Sequence, residues 1–554
     1  MTEMTTGRYL AETLKALGVT HVFHVPHVFA SAHKELPKLG IMRVLAHHEI
    51  AAAYMADGYA RAAHRPGVCF AQGVGATNLA AGLREPYLAG SPVIAITGGP
   101  HPDSRHQYLY QAVDDLGSYT AVTKFNATVE KPSRFPDLLR QALREATTIT
   151  PGPSHLELPG RLGQGAEGSG DWPLIAEKQY GHVPPYRPEP DPTQVEAAAR
   201  LLSEAERPVI IAGGGIITSG AGAELVQLAE KLNIPVVTSP TGKGSIPENH
   251  PMALGVVGSY GRRAVNQTVQ DADLVFFAAS RAGDLTTDHY QTPRKGIPAI
   301  QMDINPVELG RIYPVQVGLV GDAKVTLARL VEAARPAGRG TAAWVQHAQS
   351  RVASWRAEVE PQAQSDAIPI RPERLCREIS EALPDDAVLV SDTGHASIWT
   401  ATIVELTKPT QRYIRCMGTL GWALPGALGA KCALPDRPVV CFAGDGALCF
   451  HLAELETAAR AGINVVVVVN NNSAFSQEKG LIAMIGEAGA LGAAEEIYAF
   501  RPINFARIAQ ELGCLGLRVE KPGEIKRALA EAFAANRPVV VDVVTDIDAM
   551  PAWS

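Results

Sequence analysis

PVVCFAGDGALCFHLAELETAARAGINVVVVVNNNSAF, residues 438–475, decides the fold. An apolar run, PVVCFA, passes through a Gly-Asp-Gly turn into a helix expected from about Phe450 to Ala461. Gly462 stands where it can cap that helix. Five consecutive valines then spell a strand that must be covered on both faces, and the strand ends in Asn470-Asn471-Asn472. Strand, crossover helix and second strand make the unit of a parallel α/β sheet. Ligands of such sheets bind beyond the carboxyl ends of the strands, so Asp445 and Asn472 fall at one edge. One carboxylate and one amide oxygen suit a hard cation such as Mg²⁺ or Ca²⁺. Gly444 and Gly446 let the backbone approach a phosphate closely. The start of the next helix, around Ala447, offers it free N–H groups. The element reads as Mg²⁺ bridging the protein and a diphosphate.

The same alternation of short apolar runs and amphipathic stretches extends in both directions. Three α/β blocks with parallel sheets are expected, at 1–165, 190–335 and 370–554. The first holds the strand candidates 21–25, 67–72, 91–98 and 154–159; the second, 207–215, 234–239, 272–280 and 297–304; the third, 387–394, 438–446, 463–472 and 538–544. A Gly- and Pro-rich stretch, 163–191, reads as a linker, and 336–343 begins a second connection that is helical in part. The chain has 554 residues, too many for one core. It is 46% hydrophobic and 19% charged, as in an ordinary globular protein. A formal net charge of −7 is small for this length and carries no footprint for nucleic acid or an anionic membrane. The expected partners are small molecules and further subunits. Seven cysteines, with no CxxC pair, argue against a disulfide framework and a structural zinc site. No basic head with an apolar stretch opens the chain, and no apolar run reaches the roughly 18 residues of a membrane helix. The expected compartment is the cytoplasm.

The segment 444–475 resembles the thiamine-diphosphate signature, GDG followed by NN at a fixed spacing. Asn472 lies 27 residues after Asp445, which selects Asn471-Asn472 as the pair and leaves Asn470 outside it. The resemblance implies Asp445, Asn472 and the backbone carbonyl of Ala474 as Mg²⁺ ligands; many relatives have Gly at the last position. LAHHEIAAAYMADGYARA (45–62) resembles the HE-x-A-A-x-x-M-A-D-G-Y-A-R stretch of acetolactate synthases and relatives. Glu49 is then the carboxylate that bonds the cofactor's pyrimidine ring. It favours the tautomer whose imine removes the proton from the thiazolium carbon. GVGATNLAAGL (73–83) is similar to the family's G-P-G-A-T-N loop, and YQAVD (110–114) aligns Gln111 with an active-site glutamine. SDTGHASIW (391–399) resembles a diphosphate-contacting turn and points to Gly394, His395 and Ala396. MGTLGWALPGALGAK (417–431) resembles the stretch with a bulky residue under the cofactor. Leu420 is then the wedge between the rings, and Gly418 accepts a hydrogen bond from the cofactor's amino group. The family's subunits share their active sites, which implies a homodimer or homotetramer.

The middle block leaves its ligand open. RPVIIAGGGI looks like a nucleotide-binding turn, yet Thr218 takes the third glycine position of G-x-G-x-x-G. In acetolactate synthases this domain binds FAD. Arg281 and Asp303 match that region loosely, and FAD, another adenine nucleotide or no ligand all remain open. HVPHVF (24–29) stands where many relatives have G-x-P-G, so His27 replaces a glycine bordering the reaction space. An imidazole there is able to act as acid, base or hydrogen-bond donor near neutral pH, or only to shape the pocket. His101 and His106 lie in a loop near it and read as solvated. The expected activity is acetolactate-synthase-like: decarboxylation of a 2-oxo acid or attack on a related carbonyl, then acyl transfer. The alternatives are a non-ligating 2-oxo acid decarboxylase, a 1,2-dione hydrolase and a 2-hydroxyacyl-CoA lyase. A nucleotide dehydrogenase fits the failed glycine fingerprint poorly, and a non-catalytic relative would not need Glu49, Asp445 and Asn472 together.

Overall fold

The computed structural model describes residues 3–105, 107–111, 113–336, 340–485 and 495–551. Three α/β units follow one another, each built on a six-stranded sheet in which every pairing is parallel. Across the first sheet the order is Met42–Leu45, His21–Val25, Gly67–Ala71, Val93–Gly99, Ser154–Pro159, Phe125–Thr128. Across the second it is Ala253–Val256, Val236–Thr238, Pro208–Ala212, Leu274–Ala278, Ala299–Asp303, Val317–Val320. Across the third it is Arg412–Arg415, Val388–Ser391, Val439–Gly444, Val466–Asn471, Val539–Val544, Leu515–Val519. The central strands are buried along nearly their whole length, the condition their unbroken Val, Ile and Phe runs anticipate.

Two details differ from expectation. The stretch after Gly444 is two helices, Asp445–Cys449 and Glu454–Ala461, in place of one. Gly462, at φ 66°, caps the second. The stretch 163–191 is not a free tether, because Ser169–Gly170 pairs antiparallel with Met4–Thr5.

The first and third sheets are joined by a helix pair with almost no space between backbones. Helix Glu49–Ala63 packs on helix Ala423–Ala433. A Cβ on Gly58 would fall 2.0 Å from the Gly426 carbonyl oxygen, and one on Gly429 would fall 1.9 Å from that of Met55. The contact continues in a buried polar network. Arg61 pairs with Asp57 and Glu85, and Trp422 donates its indole N–H to Asp57.

The second unit is tied to the third by helix Gly340–Ala363, whose Trp344 donates to the carbonyl of Pro208. Between the same two units Lys243, Glu248 and Arg262 form a buried ion cluster. Carbonyls of Ala401, Thr402 and Val404, with that of Leu254 in the second unit, accept further N–H groups of the two cations, so the buried charges are hydrogen-bonded as well as paired.

Candidate functional site at the edge of the third sheet

Register puts the signature residues side by side. Gly444 pairs with Asn470, so Asp445 and Asn472 each lie just past the paired ends of neighbouring strands. Asp445 is the first residue of its helix and is 3% exposed. Its carboxylate accepts N–H groups of Gly446, Ser473 and Ala474, yet burial pushes its pKa up to about 6. Those bonds bring the carboxylate against the turn that carries Asn472 and Ala474. The side-chain oxygen of Asn472 is buried and has no hydrogen-bond partner. A buried acceptor without a donor costs about 1–3 kcal/mol. An under-compensated carboxylate and an orphaned amide oxygen fit a hard cation as the missing partner. Asn471 is used otherwise, since its amide nitrogen donates to Asp542 and to the carbonyl of Ile503.

The turn around Gly394, also at this edge, opens helix His395–Thr402. His395 bonds Ser476 through Nδ1, and burial lowers its pKa to about 4. It is therefore neutral near pH 7. The starts of this helix and of Asp445–Cys449 present N–H groups at adjacent strand ends, a suitable cradle for a diphosphate. Met417–Ala423 forms the facing loop. Gly418, at φ 127°, is exposed, and Leu420 is half-buried.

Two acids shape this loop, and sequence reading singled out neither. Asp392 is fully buried and accepts N–H groups of Thr393, Gly421 and Ala423. Burial still pushes its pKa up to about 6. Glu85 reaches across from the first unit to the N–H of Met417 and the hydroxyl of Thr419, and burial raises its pKa also. Asp392 sat in a quoted motif, SDTG. Glu85 gave no signal, because its partners in this loop are more than 300 residues away in the chain.

Glu49 begins its helix after His48, whose Nδ1 caps the N-terminus. Asn78 donates to the Glu49 carboxylate at 3.1 Å. Gly75 lies so close that a Cβ there would fall 2.3 Å from the carboxylate, so a larger residue at this position would have to move the Glu49 side chain. Both contacts belong to the first unit. Gln111 adopts a left-handed φ of 63°, and Arg161 donates to its side-chain oxygen at 3.3 Å. His27 is exposed and its carbonyl accepts from Gln72. Its ring stands 6.3 Å from that of His33. His101 uses Nδ1 to cap the short turn at Pro102–Ser104, a structural role. His106 lies outside the described residues.

In the second unit, Arg281 and Asp303 lie just past or at the ends of neighbouring strands. Asp303 is nearly buried and accepts the N–H of Asn305. Among the described residues no three His, Cys, Asp or Glu side chains form a metal-binding group, and no helix is long and apolar enough to cross a membrane. The seven cysteines are free thiols, all buried except Cys449.

Three family models match the chain: the thiamine pyrophosphate enzyme N-terminal TPP binding domain at 4–118, the central domain at 195–330 and the C-terminal TPP binding domain at 392–543. A probable acetolactate synthase large subunit of Methanocaldococcus jannaschii is 33% identical over 98% of this chain and 92% of its own length. The acetolactate synthase large subunit of Corynebacterium glutamicum is 32% identical over 99% of the chain and 87% of its own. Glyoxylate carboligase of Escherichia coli O157:H7 is 32% identical over 96% and 92% respectively. With these matches spanning the sheet edge that carries Asp445 and Asn472 and the helix that carries Glu49, the chain belongs to the thiamine pyrophosphate enzymes.

Proposed function

We propose that the protein is a thiamine-diphosphate- and Mg²⁺-dependent carboligase that takes an acyl unit from a 2-oxo acid and joins it to a second carbonyl compound. The observation that carries this reading is the orphaned, buried oxygen of Asn472 beside the buried carboxylate of Asp445. With the carbonyl of Ala474 they are the ligands offered to Mg²⁺. The helix starts at Gly394, His395 and Ala396 and at Gly444, Asp445, Gly446 and Ala447 hold the diphosphate. Thiamine diphosphate, when bound, supplies a nucleophilic carbon and a sink for the electrons of the broken C–C bond. Glu49 would exchange a proton with the pyrimidine ring of bound thiamine diphosphate, and Asn78 fixes the direction of its carboxylate. Leu420 and the Gly418 carbonyl would contact the cofactor's rings, and Gln111 would face the substrate. The names of the similar proteins, acetolactate synthases and a glyoxylate carboligase, support ligation over simple decarboxylation.

His27 sets the fate of the acyl unit in this reading. A proton donor there favours release of aldehyde, and its loss leaves time for a second carbonyl to be attacked. The test is product analysis by NMR after incubating the holoenzyme with 2-oxo acids and aldehydes. The wild type forms ligated product, and His27→Ala raises its ratio to free aldehyde. Should no 2-oxo acid be consumed, the reading gives way to a dione hydrolase or acyl-CoA lyase. For the edge carrying Arg281 and Asp303 the reading leaves FAD, another adenine nucleotide and no ligand open. A visible absorption spectrum of the purified protein tests for the flavin.

A further inference from the structure

We infer that the concavity beside strand His21–Val25, lined by His24, His27, His33, Lys34 and Arg43, receives the anionic tail of a carbonyl substrate, a carboxylate remote from the reacting carbon. This names the substrate class of the carboligase proposed above and rests on that reading.

The space measures about 480 Å³, and Ala30 completes its lining. Three imidazoles, one ammonium and one guanidinium face it, with no carboxylate among them. The rings of His24 and His33 stand 4.7 Å apart, and those of His27 and His33 6.3 Å apart. The cations are not neutralised by the fold: Arg43 donates to the carbonyl of His33, and among the described residues neither it nor Lys34 pairs with an acid. His33 is 6% exposed, and its Nε2 has no hydrogen-bond partner. A buried donor or acceptor left open, beside unpaired cations, is the signature of a missing polar ligand. Positive charges gathered without counter-ions suit a carboxylate, which bonds guanidinium and imidazole N–H groups with charge assistance.

The loop that forms this wall is held in a costly shape. Phe29 lies in the left-handed region at φ 65°, a conformation rare for a bulky residue. It is kept there by burial against Phe135 and by its N–H bond to the carbonyl of Leu162. A short chain of contacts runs from the concavity to Glu49. The His27 carbonyl bonds Gln72, which leads into the Gly73–Gly75 turn, and Gly75 touches Glu49. In the proposed reading a substrate bound on the Glu49 side of these contacts extends its tail toward the cationic recess.

Burial, aided by the facing cations, lowers the pKa of both His24 and His33, that of His33 to about 3. His24 faces Arg43, His27 and Arg460, and His33 faces His24, Arg43 and His27. Both rings are then neutral at pH 7: the one N–H of His24 is taken by the Pro26 carbonyl, His33 keeps Nε2 open for a ligand, and the permanent charge comes from Arg43 and Lys34.

The experiment uses the full-length enzyme loaded with thiamine diphosphate and Mg²⁺. Calorimetry with malonate, and separately with inorganic phosphate, reads the site without turnover. Arg43→Gln and Lys34→Gln change exposed side chains only, and Arg43→Lys is the conservative control. Malonate affinity should fall about tenfold in Arg43→Gln and recover in part in Arg43→Lys, with cofactor affinity unchanged. In steady state, Arg43→Gln should raise KM for 4-oxobutanoate as acceptor and leave KM for propanal alone. Anion binding that ignores Arg43 overturns the proposal. Phosphate binding that depends on Arg43 but does not compete with 4-oxobutanoate also overturns it, because the site then serves a free anion. Competitive, Arg43-dependent malonate binding in an enzyme that ligates no carbonyl compound sinks the carboligase reading and leaves the anion site standing.

Discussion

At the residue scale the site is a set of buried polar atoms whose requirements cross the sheet edge. Asn472→Ala removes an amide oxygen offered to the cation. Thiamine diphosphate affinity should then fall about tenfold or more at limiting Mg²⁺ and recover at high Mg²⁺, measured by calorimetry. Equal affinity in the variant and the wild type at every Mg²⁺ concentration would remove Asn472 from the metal site. Asp392 allows a separate test by stability. Its folded pKa is raised from 3.8 to about 6, so the folded state holds the proton more tightly than the unfolded one. The stabilisation from this group is full below pH 4, fades as pH rises through about 6, and amounts to about 3 kcal/mol at most. Asp392→Asn abolishes that dependence and misplaces one donor against the N–H of Gly421 or Ala423. The stability gap between wild type and variant should therefore shrink between pH 4 and pH 6 in urea titrations of the cofactor-free protein. A constant gap would contradict the shift. Legibility at this scale followed chain distance. Asp445 and Asn472 were readable because one strand–helix–strand unit carries both. Glu85 and Asn78 were not, because each acts on a loop or side chain that only the folded chain brings near.

At the element scale, helices Glu49–Ala63 and Ala423–Ala433 lock the Glu49 half of the chain to the Leu420 half. Their backbones meet at Gly58 and Gly426, with no room for one added carbon. Gly58→Ala must push the helices apart or distort one, and overpacking of this kind costs about 1–3 kcal/mol or more. The variant should unfold at lower temperature and bind thiamine diphosphate more weakly, since Glu49 and the 417–420 loop move with the helices. Calorimetric melting with and without cofactor measures both, and an unchanged melting temperature would show that the contact is soft. The pattern of legible strands has a physical cause at this same scale. In each sheet the four inner strands were readable from sequence, and the two at the edges were missed apart from the end of Met42–Leu45. Inner parallel strands are flanked on both sides and covered on both faces, so they read as runs such as VVCFA and VVVVV. Edge strands such as FNAT and RYIR are four residues long and carry polar residues that hide the run, although RYIR is buried at three of its four positions. The helix read as continuous from Phe450 to Ala461 breaks for a different reason. There the chain makes tight turns, the N–H groups of Phe450, His451 and Glu454 bonding carbonyls three residues back, and the Glu454 carboxylate at the start of the second helix accepts the N–H of His47 in the first unit.

At the scale of the whole molecule, one chain carries both halves of the chemistry without exhausting its surface. In the first unit large apolar side chains stand exposed: Val74 in the Gly73–Gly75 turn, Tyr87 and Leu88 at the end of helix Ala76–Ala89, and Tyr108, Leu109, Tyr110 and Val113 beside Gln111 in the chain, with Phe450 on the third unit. Several sit on the helix and loops next to the Gly73–Gly75 turn, so a patch of this kind marks an interaction surface. A second copy of the chain is the partner that suits a shared active site, with Glu49 of one subunit serving Asp445 and Asn472 of the other. The arithmetic of mixing separates this arrangement from a self-sufficient chain. Glu49→Ala and Asp445→Ala chains are each inactive alone. If subunits exchange freely, half of the dimers are mixed, and each mixed dimer has one site with both residues intact. About a quarter of wild-type activity should then return, with the other site of the same dimer doubly disabled. If Glu49 served the Asp445 of its own chain, every site in the mixture would lack one residue and no activity would return. Sedimentation of the wild type supplies the second measurement: a dimer or tetramer is expected at assay concentration, and a fully active monomer would rule out the shared site.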